Sequence, residues 1–297
     1  MRSGFATVVG RPNVGKSTLI NAMVGTKVSI VSPRPNTTRH NVRGILHLPD
    51  AQVVLVDTPG LHRPRTALGE RLNEAAGAML SDVDVVVAMV DATAAVGPGD
   101  RMVLGRALAA SRRDGPALLV AVNKIDAAGP NDVMVRLATV AEAVDRLAEE
   151  SGVNADGIEY FPTSATTGRG VESLVEAVVA RLPEGPAYYP EDMVTDTPEA
   201  LRVAELVREQ LLARARDELP HAIACRVTEW EWPRIRCEIL VERDSQKAIV
   251  IGKGGEVLKA VGTAVRKELP PGAYLELFVR VEKRWQQRND ALDRLGY

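Results

Sequence analysis

The sequence "GRPNVGKS" occupies residues 10–17, directly after a short apolar stretch and at the start of the amphipathic stretch Lys16–Val24. It matches the pattern G-x-x-x-x-G-K-[S/T], which forms a loop between a β-strand and an α-helix. In such a loop the glycines let backbone amides turn towards a phosphate, the lysine reaches the outer oxygens, and the hydroxyl binds Mg²⁺. The helix N-terminus adds a favourable dipole. The stretch therefore predicts a phosphate-binding loop and the α/β fold that carries it.

The surrounding sequence has the alternation that this fold requires. Apolar runs predict strands at residues 6–10, 53–56, 83–91, 117–123 and 160–163. Helical patterns lie at residues 16–24, 67–78, 100–109, 133–148 and 171–181. Buried strands that alternate with helices favour a mostly parallel sheet with helices on both faces. Residues 44–47 are expected to pair antiparallel with 53–56, and residues 1–182 to form one domain.

A second motif, "DTPG", ends the strand at residues 53–56. Asp57 is expected to hold Mg²⁺ through a water, and the Gly60 amide to meet a terminal phosphate. Between the two motifs lies "NTTRH" at residues 36–40, where a threonine can close on Mg²⁺ and the terminal phosphate and release when that phosphate leaves. We favour Thr38 over Thr37, although the spacing does not decide between them. The predicted metal ligands are Ser17, Thr38 and Asp57.

A third motif, "NKID", follows a predicted strand and indicates which base is bound. The Asp126 carboxylate can accept two hydrogen bonds from N1–H and the amino group of guanine, whereas adenine lacks this donor pair. Asn123 is expected to bond the other edge of the base and the Lys124 stem to cover the ring. A backbone amide at Ser164-Ala165 is expected to read O6. The residues predicted to bind GTP are Gly10, Asn13, Val14, Gly15, Lys16, Ser17, Thr18, Asp57, Gly60, Asn123, Lys124, Asp126, Ser164 and Ala165.

The motifs in this order predict a GTPase, but one position raises a question about catalysis. The residue after Gly60 is Leu61, which can neither donate nor accept a hydrogen bond, whereas many nucleotide switches have a glutamine there. His62 is a candidate for orienting the attacking water. Such a histidine is more often a solvated loop residue.

The alternation of apolar and helical patterns ends after residue 182. A stretch rich in proline and acidic residues then predicts a linker at residues 183–198. Its Tyr188-Tyr189 pair either docks on a domain or belongs to a solvated tether. Residues 199–297 then show the order αββααβ, which begins with a helix predicted at residues 199–215, followed by a polar helical tail. The stretch Gly252–Gly255 joins two of these helices and has the pattern G-x-x-G. Together these features predict an RNA-binding KH domain, whose loop clamps about four single-stranded nucleotides.

The charge distribution supports a local surface for a phosphate backbone. The whole chain has a net charge of −2, but residues 243–267 contain six bases and two acids. An aromatic content of 4% argues against a broad base-stacking platform. The residues predicted to bind RNA are Lys247, Ile251, Gly252, Lys253, Gly254, Gly255 and Lys259.

The composition excludes several other classes. Cys225 and Cys237 have a spacing that suits no zinc site, and both are expected to be reduced core thiols. No apolar stretch approaches the 18 residues typical of a membrane-spanning helix. The N-terminus is expected to enter a strand at once, which leaves no room for a signal peptide. We therefore expect a soluble, cytoplasmic protein.

The motifs together closely resemble the bacterial Era GTPases. The resemblance rests on "GRPNVGKST", "NTTRH", "DTPGLH", "NKID" and "IVIGKGG", on "YYPEDMVTD" in the linker, and on the terminal "LDRLGY". It implies a P-loop GTPase domain followed by a type II KH domain, with GTP and GDP as substrate and product. It also implies that the GTP form binds the 3′ end of small-subunit (16S) ribosomal RNA and assists 30S assembly. Part of the protein would act at the inner face of the cell membrane, and we expect a monomer. Thr197-Pro198 departs from the more polar helix entry expected there, which leaves the hinge between the domains open.

The resemblance also implies a potassium-stimulated reaction, because the potassium-activated GTPases have an asparagine at the position of Asn13. Its side-chain oxygen would help to hold K⁺ beside the phosphates, with carbonyls of residues 31–35 completing the shell. The alternative is that Asn13 only stabilises the loop. The predicted catalytic residues are Asn13, Lys16, Thr38 and Gly60, with Mg²⁺ and K⁺ as cofactors.

Two other functions remain open at this point. The chain could be the GTPase partner of an RNA-modifying enzyme, although it has no catalytic cysteine or cofactor domain of its own. It could also be a membrane-associated signalling switch that uses the KH fold for protein contacts, although no basic amphipathic anchor or lipidation motif supports that role.

Overall fold

The computed structural model describes residues 1–62, 64, 66–112, 115–214 and 219–297. The chain folds into two compact units, each made of more than one chain segment. The first unit contains Met1–Ser29, Thr38–Arg63 and Leu72–Asp196. The second unit contains Ile30–Thr37, Pro64–Arg71 and Thr197–Tyr297.

The first unit is built on a six-stranded sheet in the order β2-β3-β1-β4-β5-β6. Strand β2 is antiparallel to β3, and all the other neighbours are parallel. The strands are β1 (Arg2–Gly10), β2 (Val42–Leu48), β3 (Ala51–Asp57), β4 (Val85–Asp91), β5 (Ala117–Asn123) and β6 (Glu159–Pro162). The helices are α1 (Lys16–Val24), α2 (Ala67–Ala78, of which residues 67–71 are counted with the second unit), α3 (Pro98–Ala110), α4 (Pro130–Ser151) and α5 (Val171–Ala180). This arrangement confirms the predicted mostly parallel sheet with one antiparallel edge.

The central strands are buried on both faces, which is why they read as continuous apolar runs. One face of the sheet packs in a core with residues such as Leu104 and Val144 from α3 and α4. The other face packs with Leu19 of α1 and Leu174 of α5. Because β1, β3 and β5 are parallel, their carboxyl ends lie at the same edge of the sheet, and the loops that follow them converge there.

The predicted linker docks on the first unit as far as Asp196. The buried side chain of Gln52 accepts hydrogen bonds from the amides of Tyr188 at 2.7 Å and Tyr189 at 3.0 Å, and donates to the Tyr189 carbonyl at 2.8 Å. The Tyr188 ring meets Phe5 edge-on, with a centroid distance of 4.9 Å. Farther along, the Ile45 amide donates to the Val194 carbonyl at 2.9 Å. The tyrosine pair is therefore part of a packed segment and does not belong to a solvated tether.

The second unit has a three-stranded sheet in the order β7-β8-β9, with β7 antiparallel and β9 parallel to β8. Its elements are α6 (Glu199–Arg214), α7 (Leu219–Ala222), β7 (Ala224–Glu231), β8 (Arg234–Val241), α8 (Asp244–Ile251), α9 (Glu256–Arg266), β9 (Tyr274–Val281) and α10 (Asn289–Leu295). The predicted αββααβ order is confirmed, with the short helix α7 as an addition. The predicted first helix extended to Ala215, which lies outside the described residues. The core joins Val207 of α6, Ile239 of β8 and Val265 of α9.

The second unit also contains two short segments that the sequence had placed in the middle of the first predicted domain. In the first segment, Ile30 belongs to the apolar core, and the Val31 amide donates to Glu209 Oε1 at 2.9 Å. Arg208 is fully buried, forms an ion pair with Glu205 and donates to the Thr37 carbonyl. The compact units thus differ from the predicted boundaries of 1–182, 183–198 and 199–297. The reason is that these bonds join residues 171 and 178 positions apart, which local sequence patterns do not reveal.

Candidate functional site

The phosphate-binding loop lies between β1 and α1, as predicted. A Cβ atom on Gly10 would come within 2.7 Å of the Val14 side chain and 2.9 Å of the Met89 carbonyl, so only glycine fits there. Gly15 has a φ of 108°, a conformation that glycine adopts without strain. Val14 is buried, and Thr18 lies in the first turn of α1.

Lys16 is buried at the centre of this loop. Its Nζ donates to the carbonyls of Gly10 at 3.3 Å and Arg11 at 3.2 Å. Burial lowers the pKa of Lys16 to about 8, and the nearby Asp57 carboxylate offsets only part of this effect. A phosphate placed against the loop would supply the negative charge that the buried ammonium lacks.

The three predicted metal ligands come together. The Oγ of Ser17 lies 2.9 Å from the Oγ1 of Thr38, and Thr38 donates to Asp57 Oδ2 at 3.2 Å. Asp57 is fully buried, and its Oδ1 has no hydrogen-bond partner. Two hydroxyl groups and a carboxylate with an unused oxygen are oxygen donors of the kind that Mg²⁺ prefers. The residues therefore fit a magnesium ion.

The structure also favours one of the two threonines. The Oγ1 of Thr37 donates to the Arg34 carbonyl at 2.7 Å and does not take part in the group around Asp57.

Burial raises the pKa of Asp57, opposed in part by the Ser17 hydroxyl and the Lys16 ammonium. A bound divalent cation reverses this balance, because it stabilises the charged carboxylate.

The segment after Asp57 answers part of the question that Leu61 raised. A Cβ atom on Gly60 would lie 3.1 Å from both Lys16 Nζ and the Pro12 nitrogen, so Gly60 packs directly on the phosphate-binding loop. Leu61 is 1% exposed and belongs to the apolar core, so it points away from the loop. His62 Nδ1 lies 2.9 Å from the Gly60 carbonyl, which gives the ring a main-chain partner.

Asn123 has a structural role in addition to its place in the predicted base-binding motif. It is 2% exposed, its Nδ2 donates to the Val14 carbonyl at 2.9 Å, and its Oδ1 accepts from the Ala165 amide at 3.0 Å. It therefore ties the phosphate-binding loop to the loop at Ser164-Ala165. Sequence reasoning missed this structural role of Asn123. The direct contacts of Asn123 and of the Ala165 amide with the base stay predictions. The Ser164 side chain accepts from the Thr167 amide at 3.1 Å, which shapes the same loop.

Two of the other three residues of the motif lie at the surface. Ile125 is buried under the loop, whereas Asp126 is exposed and the side chain of Lys124 is 36% exposed. The carboxylate predicted to read guanine is thus accessible to a ligand. Asn13 is also exposed and has a φ of 64°, a left-handed conformation that asparagine tolerates better than most residues. Its role in potassium binding stays a prediction.

The predicted RNA-binding loop joins α8 and α9 through three glycines in the left-handed half of φ space. The φ values are 76° for Gly252, 62° for Gly254 and 81° for Gly255. A Cβ atom on Gly252 would meet the Val257 side chain at 2.6 Å, whereas one on Gly254 or Gly255 would have no neighbour within 4 Å. Gly252 is therefore required by the fold, and the other two keep the outer surface of the turn bare.

Positive and apolar side chains surround this turn. Lys253 and Lys259 are exposed, and Lys247 and Ile251 are half-buried. In the described part of the chain, no carboxylate lies within ion-pair distance (4 Å) of these three lysines. Ile249, on α8, leaves 58% of its surface exposed. The turn thus combines a bare backbone, unpaired positive charge and apolar surface, the features that single-stranded RNA recognition requires.

No helix within the described ranges is both long enough and apolar enough to span a membrane.

Comparisons with known proteins agree with both sites. The family model of the 50S ribosome-binding GTPases matches residues 5–124, and the KH domain model matches residues 218–286. GTPase Era of Mycobacterium avium is 46% identical, over 100% of this chain and 99% of the relative. GTPase Era of Mycobacterium tuberculosis strain H37Rv is 47% identical, over 99% and 98%.

Two solved structures cover the chain to the same extent. The crystal structure of Era in complex with MgGDPNP and nucleotides 1506–1542 of 16S ribosomal RNA is 36% identical, with a TM-score of 0.89 over 100% of this chain and 99% of that one. The structure of an Era variant of Aquifex aeolicus bound to GDP·AlF₄⁻ is 35% identical, with a TM-score of 0.88 and the same coverage. With matches of this extent in sequence and structure, the chain belongs to the Era family of GTPases.

Proposed function

We propose that this protein is a GTP-hydrolysing switch that binds the 3′ region of 16S ribosomal RNA and assists assembly of the 30S subunit. The observation that carries the proposal is that one chain contains both a nucleotide site and a bare, positively flanked G-x-x-G turn. The full-length likeness to an Era complex with MgGDPNP and 16S RNA supports it.

The residues of the first unit have distinct roles in hydrolysis. Lys16 binds the β- and γ-phosphates and exchanges its loop carbonyl partners for phosphate oxygens. Ser17, Thr38 and Asp57 hold Mg²⁺, which when bound neutralises charge on the phosphate oxygens. The Gly60 amide meets the γ-phosphate from the other side of the loop. Because phosphoryl transfer depends mainly on positioning and electrostatic stabilisation, this set can act without a side-chain base at Leu61.

The remaining charge stabilisation would come from K⁺ held by Asn13. Two observations support this part of the proposal: Leu61 is buried in the core, and the His62 ring nitrogen is next to the Gly60 carbonyl. Leu61 therefore cannot orient water, and one ring nitrogen of His62 is engaged with the main chain. Asn13, by contrast, is exposed on the phosphate-binding loop.

The second unit binds single-stranded RNA through its G-x-x-G turn. The sugar–phosphate backbone lies against Gly254 and Gly255, where no side chain obstructs it. Lys247, Lys253 and Lys259 neutralise phosphates, and exposed apolar surface such as that of Ile249 faces the bases. A monomeric, cytoplasmic protein with a peripheral contact at the inner face of the membrane completes the proposal, and family membership alone supports those three points.

The experiment compares two double variants of the full-length protein for binding to a fluorescent RNA with the sequence of the 16S 3′ end. Lys253→Asp with Gly254→Asp places negative charge on the bare turn. Lys267→Asp with Gly272→Asp makes the same charge change beyond the far end of α9, a distance of about 16 Å for an eleven-residue helix. Gly272 has a φ of 94° and no neighbour within 4 Å, so the backbone demand is similar.

We expect the first variant to lose RNA binding by at least about tenfold, or ~1.4 kcal/mol, with GTP binding intact. The control variant should keep both activities. If the two variants bind RNA equally well, the G-x-x-G turn is not the RNA site and the proposed function fails at that point.

A further inference from the structure

Asp91 is a largely buried carboxylate that lies outside the nucleotide-binding motifs. It nevertheless accepts a hydrogen bond from a residue of one of them. It is the last residue of β4 and pairs in register with Asn123, the last residue of β5. Its Oδ2 accepts a hydrogen bond from Lys124 Nζ at 2.7 Å, and the side chain of Asp91 is 13% exposed. The lysine of the predicted base-binding loop is thus tied to a neighbouring strand.

The carboxylate is itself fixed by further bonds. Its Oδ1 accepts from the Thr93 amide at 2.9 Å and from the Thr93 hydroxyl at 2.6 Å. The main chain is anchored as well, because the Ala92 amide donates to the Asn123 carbonyl at 2.8 Å. Burial raises the pKa of Asp91, but the bonds from Lys124 and Thr93 outweigh it and hold the pKa below its ordinary value. Asp91 is therefore a charged, rigid acceptor at neutral pH.

Lys124 needs such an acceptor if its stem is to serve as a binding surface. Its backbone has a φ of 68°, and 36% of its side chain is exposed. A free lysine side chain loses rotamer entropy when it is ordered. Because Asp91 already holds the Lys124 ammonium in the free protein, part of this entropy is lost on folding. That part no longer opposes ligand binding.

We infer that Asp91 is a positioning residue for the guanine site. It holds the Lys124 stem in place so that the stem covers the purine ring. The inference rests on the proposed function, because it takes the loop at residues 123–126 to be the base-binding loop. Asp91 does not read the edge of the base. It fixes an apolar stem against the face of the ring, so its contribution is the same for every purine that Asp126 admits.

The test measures the dissociation rate and affinity of fluorescent GDP for the full-length protein and its variants. Asp91→Asn removes the charge and keeps the size, and Asp91→Glu keeps the charge. The matched control is Glu159→Gln, which removes the carboxylate of an ion pair with Arg181 at the start of β6 in the same sheet. Each variant is also assayed with IDP, whose base lacks the amino group of guanine, and for GTP turnover at saturating substrate.

We expect GDP to dissociate about tenfold faster from Asp91→Asn, with IDP weakened by the same factor, because covering the ring does not depend on the amino group. Asp91→Glu should recover most of the affinity. Turnover at saturating GTP and the behaviour of Glu159→Gln should stay within about twofold of the wild type. A merely structural role would instead disorganise the loop and change the ratio of GDP to IDP affinity.

Three results would overturn the inference: wild-type GDP dissociation in Asp91→Asn, an equal change in Glu159→Gln, or a collapse of the GDP-to-IDP ratio. The wild-type protein provides a separate check on the proposed function. If it does not prefer GDP to ADP, the guanine site itself is wrong. If it does, and Asp91→Asn is unchanged, only the role of Asp91 is wrong.

Discussion

The hydroxyl oxygens of Ser17 and Thr38 lie 2.9 Å apart, although the residues are 21 positions apart in the sequence. Ser17 is the second residue of α1, which follows the phosphate-binding loop, and Thr38 follows a segment that belongs to the other compact unit. Asp57 joins them through Thr38. The proposed magnesium ligands therefore include a residue that directly follows Thr37, whose carbonyl accepts a hydrogen bond from Arg208. Thr37 and Thr38 are adjacent in the chain but belong to different compact units.

The two threonines should respond differently to mutation. Thr38→Ala removes a hydroxyl from the magnesium site, and we expect GTP turnover to fall about 100-fold, or ~2.7 kcal/mol, with a higher requirement for Mg²⁺. Thr37→Ala removes only a bond to the Arg34 carbonyl and should keep turnover within about threefold. Steady-state GTPase assays over a magnesium titration measure both effects. Equal losses in the two variants would argue against the assignment of Thr38.

The sequence predicted the mostly parallel sheet, the two glycine-containing loops and the group of residues around Asp57, because each depends on local patterns. The choice between Thr37 and Thr38 needed the structure, since adjacent residues of one type have the same local signal. Sequence reasoning also missed the hydrogen bonds by which Asn123 joins two loops and those by which Gln52 holds Tyr188 and Tyr189. These depend on hydrogen bonds between residues that are distant in sequence, and periodicity contains no information about them.

Nucleotide binding should take up protons at mildly alkaline pH. Lys16 has its pKa lowered to about 8, and bound phosphates raise it again because they stabilise the ammonium. Between these two pKa values the complex holds more protons than the free protein, so GDP affinity falls as pH rises above about 8. Calorimetry at pH 8.5 in two buffers of different ionisation enthalpy measures the uptake. Binding with no proton uptake at this pH would contradict a lowered pKa for Lys16.

Potassium should accelerate turnover through Asn13. At fixed ionic strength we expect faster GTP hydrolysis in KCl than in NaCl, and loss of that advantage in Asn13→Ala. His62→Ala should keep the advantage. Because Leu61 is buried in the core, Leu61→Ala would cost about 2–5 kcal/mol of stability, so Leu61→Met is the better control. The same rate in both salts for the wild type, or an inactive His62→Ala enzyme, would rule out this mechanism.

Arg208 should be a major contributor to the stability of the second unit. Arg208→Ala removes the buried guanidinium that pairs with Glu205 and donates to the Thr37 carbonyl, which we expect to cost about 3–5 kcal/mol. Urea unfolding followed by tryptophan fluorescence measures this unit selectively, since Trp230, Trp232 and Trp285 all belong to it. Arg234→Ala, which breaks an exposed ion pair with Glu276, serves as the control and should barely move the midpoint. A similar small shift for Arg208→Ala would show that the buried pair is not important for stability.

The central claim is that one chain couples its guanine nucleotide to RNA binding. The most direct measurement is a titration of the full-length protein with fluorescent RNA of the sequence of nucleotides 1506–1542 of 16S RNA, the segment bound in the related Era complex. It is performed with Mg²⁺ and either GDPNP or GDP, at one salt concentration, with a scrambled RNA as the control. We predict that GDPNP strengthens binding of the specific RNA by at least about tenfold, or ~1.4 kcal/mol, and leaves the scrambled RNA weakly bound. Equal affinity for the specific RNA in the two nucleotide states would contradict the account.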